Sequence, residues 1–120
     1  MLIPAHRLRR RKDFRHAYQR GKSLKSTNFI LYYTPNITGA YRVGFSVSKK
    51  IGKAVVRNRV KRKLREAARL NPESFTAGWD YIFIARHSAI TAEVKDLENQ
   101  IIQATSKLSL NPRQKKKPKR

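Results

Sequence analysis

Residues 42–66, RVGFSVSKKIGKAVVRNRVKRKLRE, decide the fold class because they pass from a strand pattern to a helix pattern. Large apolar side chains first alternate with small or polar ones, which predicts a strand with one buried face. After the loop at residues 48–52, apolar residues recur at Val56, Val60 and Leu64, the spacing of a single helix face. A strand followed by an amphipathic helix predicts a sheet covered by helices.

Apolar residues at helical spacing predict three helices in all, near residues 11–20, 54–70 and 92–108. Gly21 is placed to end the first helix, and the pair Asn71-Pro72 stops the second. Thr91 is the expected N-cap of the third, where Glu93 and Asp96 would lie near the positive end of the helix dipole.

Three segments rich in branched and aromatic residues predict strands. Residues 28–34, NFILYYT, and residues 41–47 are expected to form a hairpin, because turn residues lie between them. Residues 81–85, YIFIA, form a short apolar run that predicts a buried strand. The resulting order is helix-strand-strand-helix-strand-helix, a single-domain α+β fold in the form of an α/β sandwich.

The ends of the chain differ from this central domain. Residues 1–10 are expected to form a basic arm, residues 11–108 the domain, and residues 109–120 a basic tail that is disordered in the free protein. The chain has no cysteine, which excludes a disulfide scaffold, a thiolate metal site and a cysteine nucleophile. No segment resembles a membrane span or a signal peptide, so a cytoplasmic protein is expected.

The charge of the chain predicts a polyanionic partner. Lys and Arg number 29 against 7 Asp and Glu, which gives a formal net charge of +22. Such a charge destabilises a compact monomer through self-repulsion. Nucleic acid is favoured over a membrane surface, because the apolar stripe of the second helix is narrow and contains no Phe or Trp.

The second helix concentrates this charge on one side. With 100° per residue, Val56, Val60, Leu64 and Ala67 form a narrow stripe. The opposite face carries Asn58, Lys61, Arg62 and Arg65. Arg57, Lys61 and Arg65 form a row of like charges at i,i+4 spacing, which destabilises a free helix. Phosphate groups lying against this face would remove the repulsion, and Arg binds phosphate through two parallel hydrogen bonds.

The sequence contains no recognisable catalytic constellation. A protein nuclease needs a metal-binding carboxylate cluster or an acid–base pair. The seven acidic residues are scattered, and His6, His16 and His87 have no ligand spacing between them. No catalytic residue and no metal ligand is therefore expected in this chain.

Residues 42–66 closely resemble the protein subunit of bacterial ribonuclease P, and Arg57-Asn58-Arg59 with Arg62 and Arg65 resembles that family's RNR motif. The resemblance extends through residues 13–23, DFRHAYQRGKS, and residues 80–86, DYIFIAR. It implies a fold similar to the second domain of ribosomal protein S5, with a left-handed βαβ crossover. It also implies a role in 5′ maturation of precursor tRNA. In that holoenzyme the partner RNA would cleave the precursor, and the holoenzyme would require Mg²⁺.

The resemblance further implies two binding surfaces on a monomer that associates with one RNA. The catalytic RNA would be bound by Lys49, Lys50, Lys53, Arg57, Asn58, Arg59, Lys61, Arg62 and Arg65. The single-stranded 5′ leader of the substrate would lie in a central cleft at Phe14, Tyr18, Tyr32 and Phe29. Phe29 and Tyr32 point to opposite faces of a regular strand, so for Phe29 the core and the cleft are both open as positions. Tyr33 is expected to pack elsewhere.

Two other classes of protein fit the composition. A structural ribosomal protein is equally small and basic, and it would sediment with ribosomal subunits without affecting precursor processing. A DNA-binding module could use the second helix in a major groove, but the chain has no helix-turn-helix pattern. Competition by duplex DNA at moderate salt would separate DNA binding from RNA binding.

Overall fold

The computed structural model describes residues 4–112. Three α-helices and four strands occur in the described part, in the chain order α1 (Arg11–Arg20), β1 (Lys22–Lys25), β2 (Phe29–Pro35), β3 (Arg42–Ser46), α2 (Ala54–Arg69), β4 (Trp79–Ala85) and α3 (Val94–Ser106). Short 3₁₀ turns occupy Pro4–His6, Lys49–Ile51, Pro72–Ser74 and His87–Ile90. The α+β class is confirmed, with one strand, β1, that the sequence interpretation did not include.

The four strands form one mixed sheet in the order β1-β2-β4-β3. β2 pairs antiparallel with both β1 and β4, whereas β3 runs parallel to β4 and is joined to it through α2. The predicted hairpin between β2 and β3 is therefore wrong, because β4 lies between them. β4 carries apolar side chains on both of its faces, and both faces are buried because β4 is a central strand of the sheet.

Helices cover the two faces of this sheet. On one face, α2 and α3 pack against the larger core, which includes Leu64, Leu97 and Phe83. On the other face, α1 and the N-terminal segment cover a smaller cluster that includes Leu8, Ala17 and Ile82. The side chains of each strand alternate between these two cores. In β2, Phe29 and Leu31 therefore face the larger core, and Tyr32 faces the smaller one.

The segment before α1 packs against the domain. The amide of Leu8 donates a hydrogen bond of 3.0 Å to the carbonyl of Val43, and the side chain of Leu8 is buried. His6 stacks on Tyr41 with ring centroids 3.8 Å apart. Arg7 forms an isolated parallel bridge with Val43, so this segment covers part of the edge of β3.

The structure places the helix ends close to the sequence expectations, with one change. At the end of α1, Gly21 is needed because a Cβ there would collide with the carbonyl of Ala17. At the start of α3, Glu93 is the N-cap and forms a reciprocal capping box with Asp96, so the assignment of Thr91 as the cap is wrong. Of the predicted tail, residues 109–112 are described and residues 113–120 lie outside the described part.

Candidate RNA interface

α2 presents the predicted cationic face to solvent. Val60, Leu64 and Ala67 are buried against the sheet, whereas Asn58, Arg59 and Arg62 are exposed and Arg57, Lys61 and Arg65 are half-buried. Glu66, the acid nearest this face, is paired with Arg69. Among residues 4–112, no salt bridge neutralises the row Arg57, Lys61 and Arg65.

The start of α2 adds further donors to this face. Lys49, Lys50 and Lys53 are exposed just before or at the helix N-cap, and no side chain caps the first turn. The Nε atom of Arg57 is buried and has no hydrogen-bond partner within the described residues. A helix N-terminus surrounded by lysines attracts anions, because the positive end of the dipole and the free N–H groups point the same way.

Lys63 lies on the same helix but has a structural role. Its ammonium donates hydrogen bonds to the carbonyls of Ala89 (2.8 Å), Ile90 (2.9 Å) and Ala92 (2.6 Å). Burial, together with the nearby charge of Arg59, lowers the pKa of Lys63 below its usual value. Lys63 therefore connects α2 to the segment before α3, and composition alone does not distinguish it from its RNA-facing neighbours.

Three of the four predicted leader residues come together on the α1 face. Tyr18 is 40% exposed, and its ring stands edge-on to Tyr32 at 5.2 Å between centroids. Phe14, one turn earlier, lies 6.4 Å from Tyr18. Arg15 is exposed at i−3 from Tyr18, so a cation accompanies the rings.

Phe29, the fourth predicted leader residue, lies on the wrong side of the sheet for this role. It is 0% exposed and packs edge-to-face on Phe83 within the α2–α3 core, 4.9 Å between centroids. Strand parity explains this position, since Phe29 and Leu31 point away from the face that carries Tyr32. Tyr33 shares the face of Phe29 and packs near Trp79, as the sequence predicted.

A cleft of about 460 Å³ joins the aromatic side of the sheet to α2. Its walls come from the N-terminal segment, α1, β3 and α2, and the lining residues are Arg7, Leu8, Arg9, Phe14, Val43, Phe45, Lys61 and Arg65. Phe14 thus lies in the same cleft as Lys61 and Arg65 of α2. Sequence reasoning missed Arg7, Arg9 and Phe45, because only the docking of the N-terminal segment on β3 brings them here.

A buried polar network fixes α1 relative to the strands beneath it. Arg42 donates from Nε and Nη2 to the two carboxylate oxygens of Asp80, at 2.8 and 2.7 Å. Asp80 also accepts from Asn36 at 2.8 Å, and Arg42 reaches Asp13 of α1 at 3.6 Å. The hydrogen bonds to Asp80 raise the pKa of Arg42 above its usual value, so the guanidinium stays charged.

Comparison with known proteins identifies this architecture. The family model for ribonuclease P matches residues 2–109 of the chain. A relative from Alkaliphilus oremlandii, named ribonuclease P protein component, is 44% identical over 105 residues, which is 88% of this chain and 92% of that protein. This chain belongs to the ribonuclease P protein component family. Membership makes it a subunit of ribonuclease P, a tRNA-processing nuclease that contains an RNA, and it disfavours the ribosomal and DNA-binding alternatives.

Two solved ribonuclease P proteins share the fold. The protein from Staphylococcus aureus superposes with a TM-score of 0.76 at 30% identity, covering 87% of this chain and 95% of that chain. The protein from Thermotoga maritima gives a TM-score of 0.77 at 29% identity, with 86% and 97% covered. The α+β sandwich of the ribonuclease P protein family is therefore confirmed for this chain.

The described residues do not offer a metal site of their own. Within residues 4–112, no three His, Asp or Glu side chains are grouped so that they could hold an ion. In the same part of the chain, every helix is too short or too polar to cross a membrane.

Proposed function

We propose that this subunit holds two RNA segments at once, the catalytic RNA of ribonuclease P and the 5′ leader of precursor tRNA. The observation that carries the proposal is the shared cleft, in which Phe14 lies together with Lys61 and Arg65. One wall supplies an aromatic surface and the other supplies unneutralised cations. The geometry is suited to a single strand that enters beside a folded RNA.

The catalytic RNA would bind along α2 and the lysines before it. The residues assigned to this surface are Lys49, Lys50, Lys53, Arg57, Asn58, Arg59, Lys61, Arg62 and Arg65. Bound phosphates would remove the repulsion within the i,i+4 row by accepting hydrogen bonds from the cationic side chains of this face. Each phosphate contact is expected to add about 0.7–0.9 to the slope of log affinity against log salt.

The leader would lie over Phe14, Tyr18 and Tyr32. Aromatic rings accept any base by stacking, with about 1–3 kcal/mol per base, so the site would tolerate different leader sequences. Phe29 is excluded from this surface by its burial. Because the leader leaves after cleavage, precursor would bind more tightly than mature tRNA.

The chemistry of cleavage would belong to the RNA, together with the Mg²⁺ that the holoenzyme requires. The protein would act by screening the repulsion between two polyanions and by positioning the leader. One protein per RNA, acting in the cytoplasm, is the simplest arrangement for this role.

A reconstituted cleavage assay tests the proposal. A bacterial ribonuclease P RNA is incubated with a 5′-leader precursor at low Mg²⁺ and near-physiological salt, with and without the protein. We expect a mature 5′ end only when the protein is present. If the protein binds the RNA and cleavage stays at the level of RNA alone, the proposed function is wrong.

A further inference from the structure

A second basic groove lies at the opposite edge of the sheet from β3. It has a volume of about 400 Å³ and is formed by the β1–β2 turn, the residue after β4 and the second half of α3. Three cations line it, Lys25, Arg86 and Lys107, all of them exposed. None of its lining residues is acidic. The groove is therefore a second positive site, built from elements that the proposed function does not use.

The turn that forms one wall has its carbonyls already satisfied. Arg86 donates from Nη1 to the carbonyl of Ser26 at 3.0 Å and from its amide to that of Asn28 at 2.9 Å. The hydroxyl of Ser88 donates to the carbonyl of Thr27 at 2.9 Å. These bonds fix the turn and leave few acceptors facing the groove, so a ligand would meet mainly donors.

Gln100 is oriented to contribute one of those donors. Its Oε1 atom accepts from the amide of Asn28 at 3.3 Å and from the hydroxyl of Ser26 at 3.4 Å. A backbone amide can only donate, so the oxygen of Gln100 must face the turn and the Nε2 group must face away from it. Donors from Gln100 and Arg86 thus accompany the ammonium groups of Lys25 and Lys107, and this combination recognises an anion.

The lining favours a phosphodiester backbone over unstacked bases. No aromatic ring contributes to this groove, and its apolar contribution is limited to Leu24 and Ala104. Single-stranded segments are held mainly by stacking, whereas folded RNA presents its phosphates. α3 also lies on the same face of the sheet as α2, opposite α1. These features select the catalytic RNA over the leader as the occupant.

We propose that the Lys25–Arg86–Lys107 groove binds a phosphodiester segment of the catalytic RNA that is separate from the segment on α2. The proposal rests on the proposed function, since it assumes that RNA as the partner. Three strand spacings, about 14 Å, separate the two sheet edges. The protein would therefore clamp two neighbouring parts of one folded RNA.

A matched pair of double variants tests the groove. Lys25→Gln with Lys107→Gln removes two groove charges, and Lys22→Gln with Lys95→Gln removes two exposed lysines from β1 and α3 outside it. None of these four side chains makes a hydrogen bond or salt bridge within the described residues, so both proteins should fold. Arg86 is retained in both because it holds the turn.

Binding to a bacterial ribonuclease P RNA is measured against monovalent salt, together with a hydroxyl-radical footprint of the RNA. We expect the groove variant to lower the salt slope by about 1.4–1.8, which corresponds to two phosphate contacts, and the control variant to leave it nearly unchanged. The groove variant should also lose protection in one RNA segment while the segment protected by α2 remains protected.

Equal slopes and equal footprints for the two variants would show that the groove is ordinary solvated surface. Weakened binding of precursor tRNA with unchanged binding of the catalytic RNA would also overturn the assignment of the occupant. A third variant, Arg62→Gln with Arg65→Gln, separates this inference from the proposed function. If that variant binds the RNA as the unmodified protein does, the proposed function itself has failed.

Discussion

The ring of Phe14 lies directly against the backbone of Gly44. A Cβ atom built on Gly44 would be 2.7 Å from Cζ of Phe14, closer than real contacts allow, and 3.2 Å from Cβ of Leu8, which is a tight contact. α1 and β3 can approach this closely only because residue 44 has no side chain. The position of Phe14 in the cleft therefore depends on a glycine in the neighbouring strand.

Gly44→Ala should destabilise the protein by about 1–3 kcal/mol, because the ring of Phe14 must move to admit the methyl group. In a Phe14→Leu background the same change should cost less, since the smaller side chain leaves room. Urea unfolding of the two single variants and the double variant measures this coupling. Additive costs would mean that Phe14 and Gly44 do not constrain each other.

Tyr18→Ala should reduce the preference for precursor over mature tRNA. Loss of one stacked base is worth about 1–3 kcal/mol, or roughly 5- to 150-fold in affinity. Tyr18→Phe keeps the ring and should retain the preference, so it is the matched control. The ratio of the two dissociation constants for the holoenzyme gives the result. An unchanged ratio in Tyr18→Ala contradicts the leader site.

Asp80→Asn should lower the free energy of unfolding by about 3 kcal/mol, because it leaves the partly buried guanidinium of Arg42 without its carboxylate. Glu66→Gln removes a carboxylate of the same kind from an exposed pair with Arg69. Urea unfolding at near-physiological salt should show almost no change for that control. Similar losses in both variants would argue against the Asp80 network as the support of α1.

Lys63→Met and Lys61→Met should affect different properties of the protein, although the two residues are only two positions apart on α2. Lys63→Met leaves three carbonyls without their donor and should destabilise the protein by about 2 kcal/mol. Lys61→Met should leave stability unchanged and reduce the salt slope of RNA binding by about 0.7–0.9. Unfolding and salt-dependent binding are measured on both proteins. If Lys63→Met alone changes the slope, its structural role is wrong.

The helices could be predicted from sequence because their signals are local. The bounds expected for α1 match, and α2 ends one residue before the expected position, since Gly21 and Asn71-Pro72 act on the adjacent turn. At the start of α3, the side chains of Glu93 and Asp96 each accept a hydrogen bond from the backbone amide of the other residue. The helix therefore begins after Glu93, and Thr91 is not its cap. Competition between neighbouring cap candidates is difficult to resolve from sequence order.

Strand pairing was predicted poorly because it depends on partners distant in the chain. Alternation located β2 and β3 but gave no information about which strand lies between them. β1, with the sequence KSLK, is a strand only through its pairing with β2. For the candidate site, parity alone would have excluded Phe29, whereas the contribution of Arg7 and Arg9 depends on how the N-terminal segment docks.

The docking of that N-terminal segment also bears on how the protein behaves before it meets RNA. Open strand edges invite further strands to add, which leads to aggregation. At β3 the hydrogen bond from Leu8 occupies part of the edge, and at the other end β1 is four residues long with a lysine at each terminus. We expect a chain that begins at Arg9 to precipitate more readily than the full chain, so truncation or tagging at this end carries a risk for expression and storage.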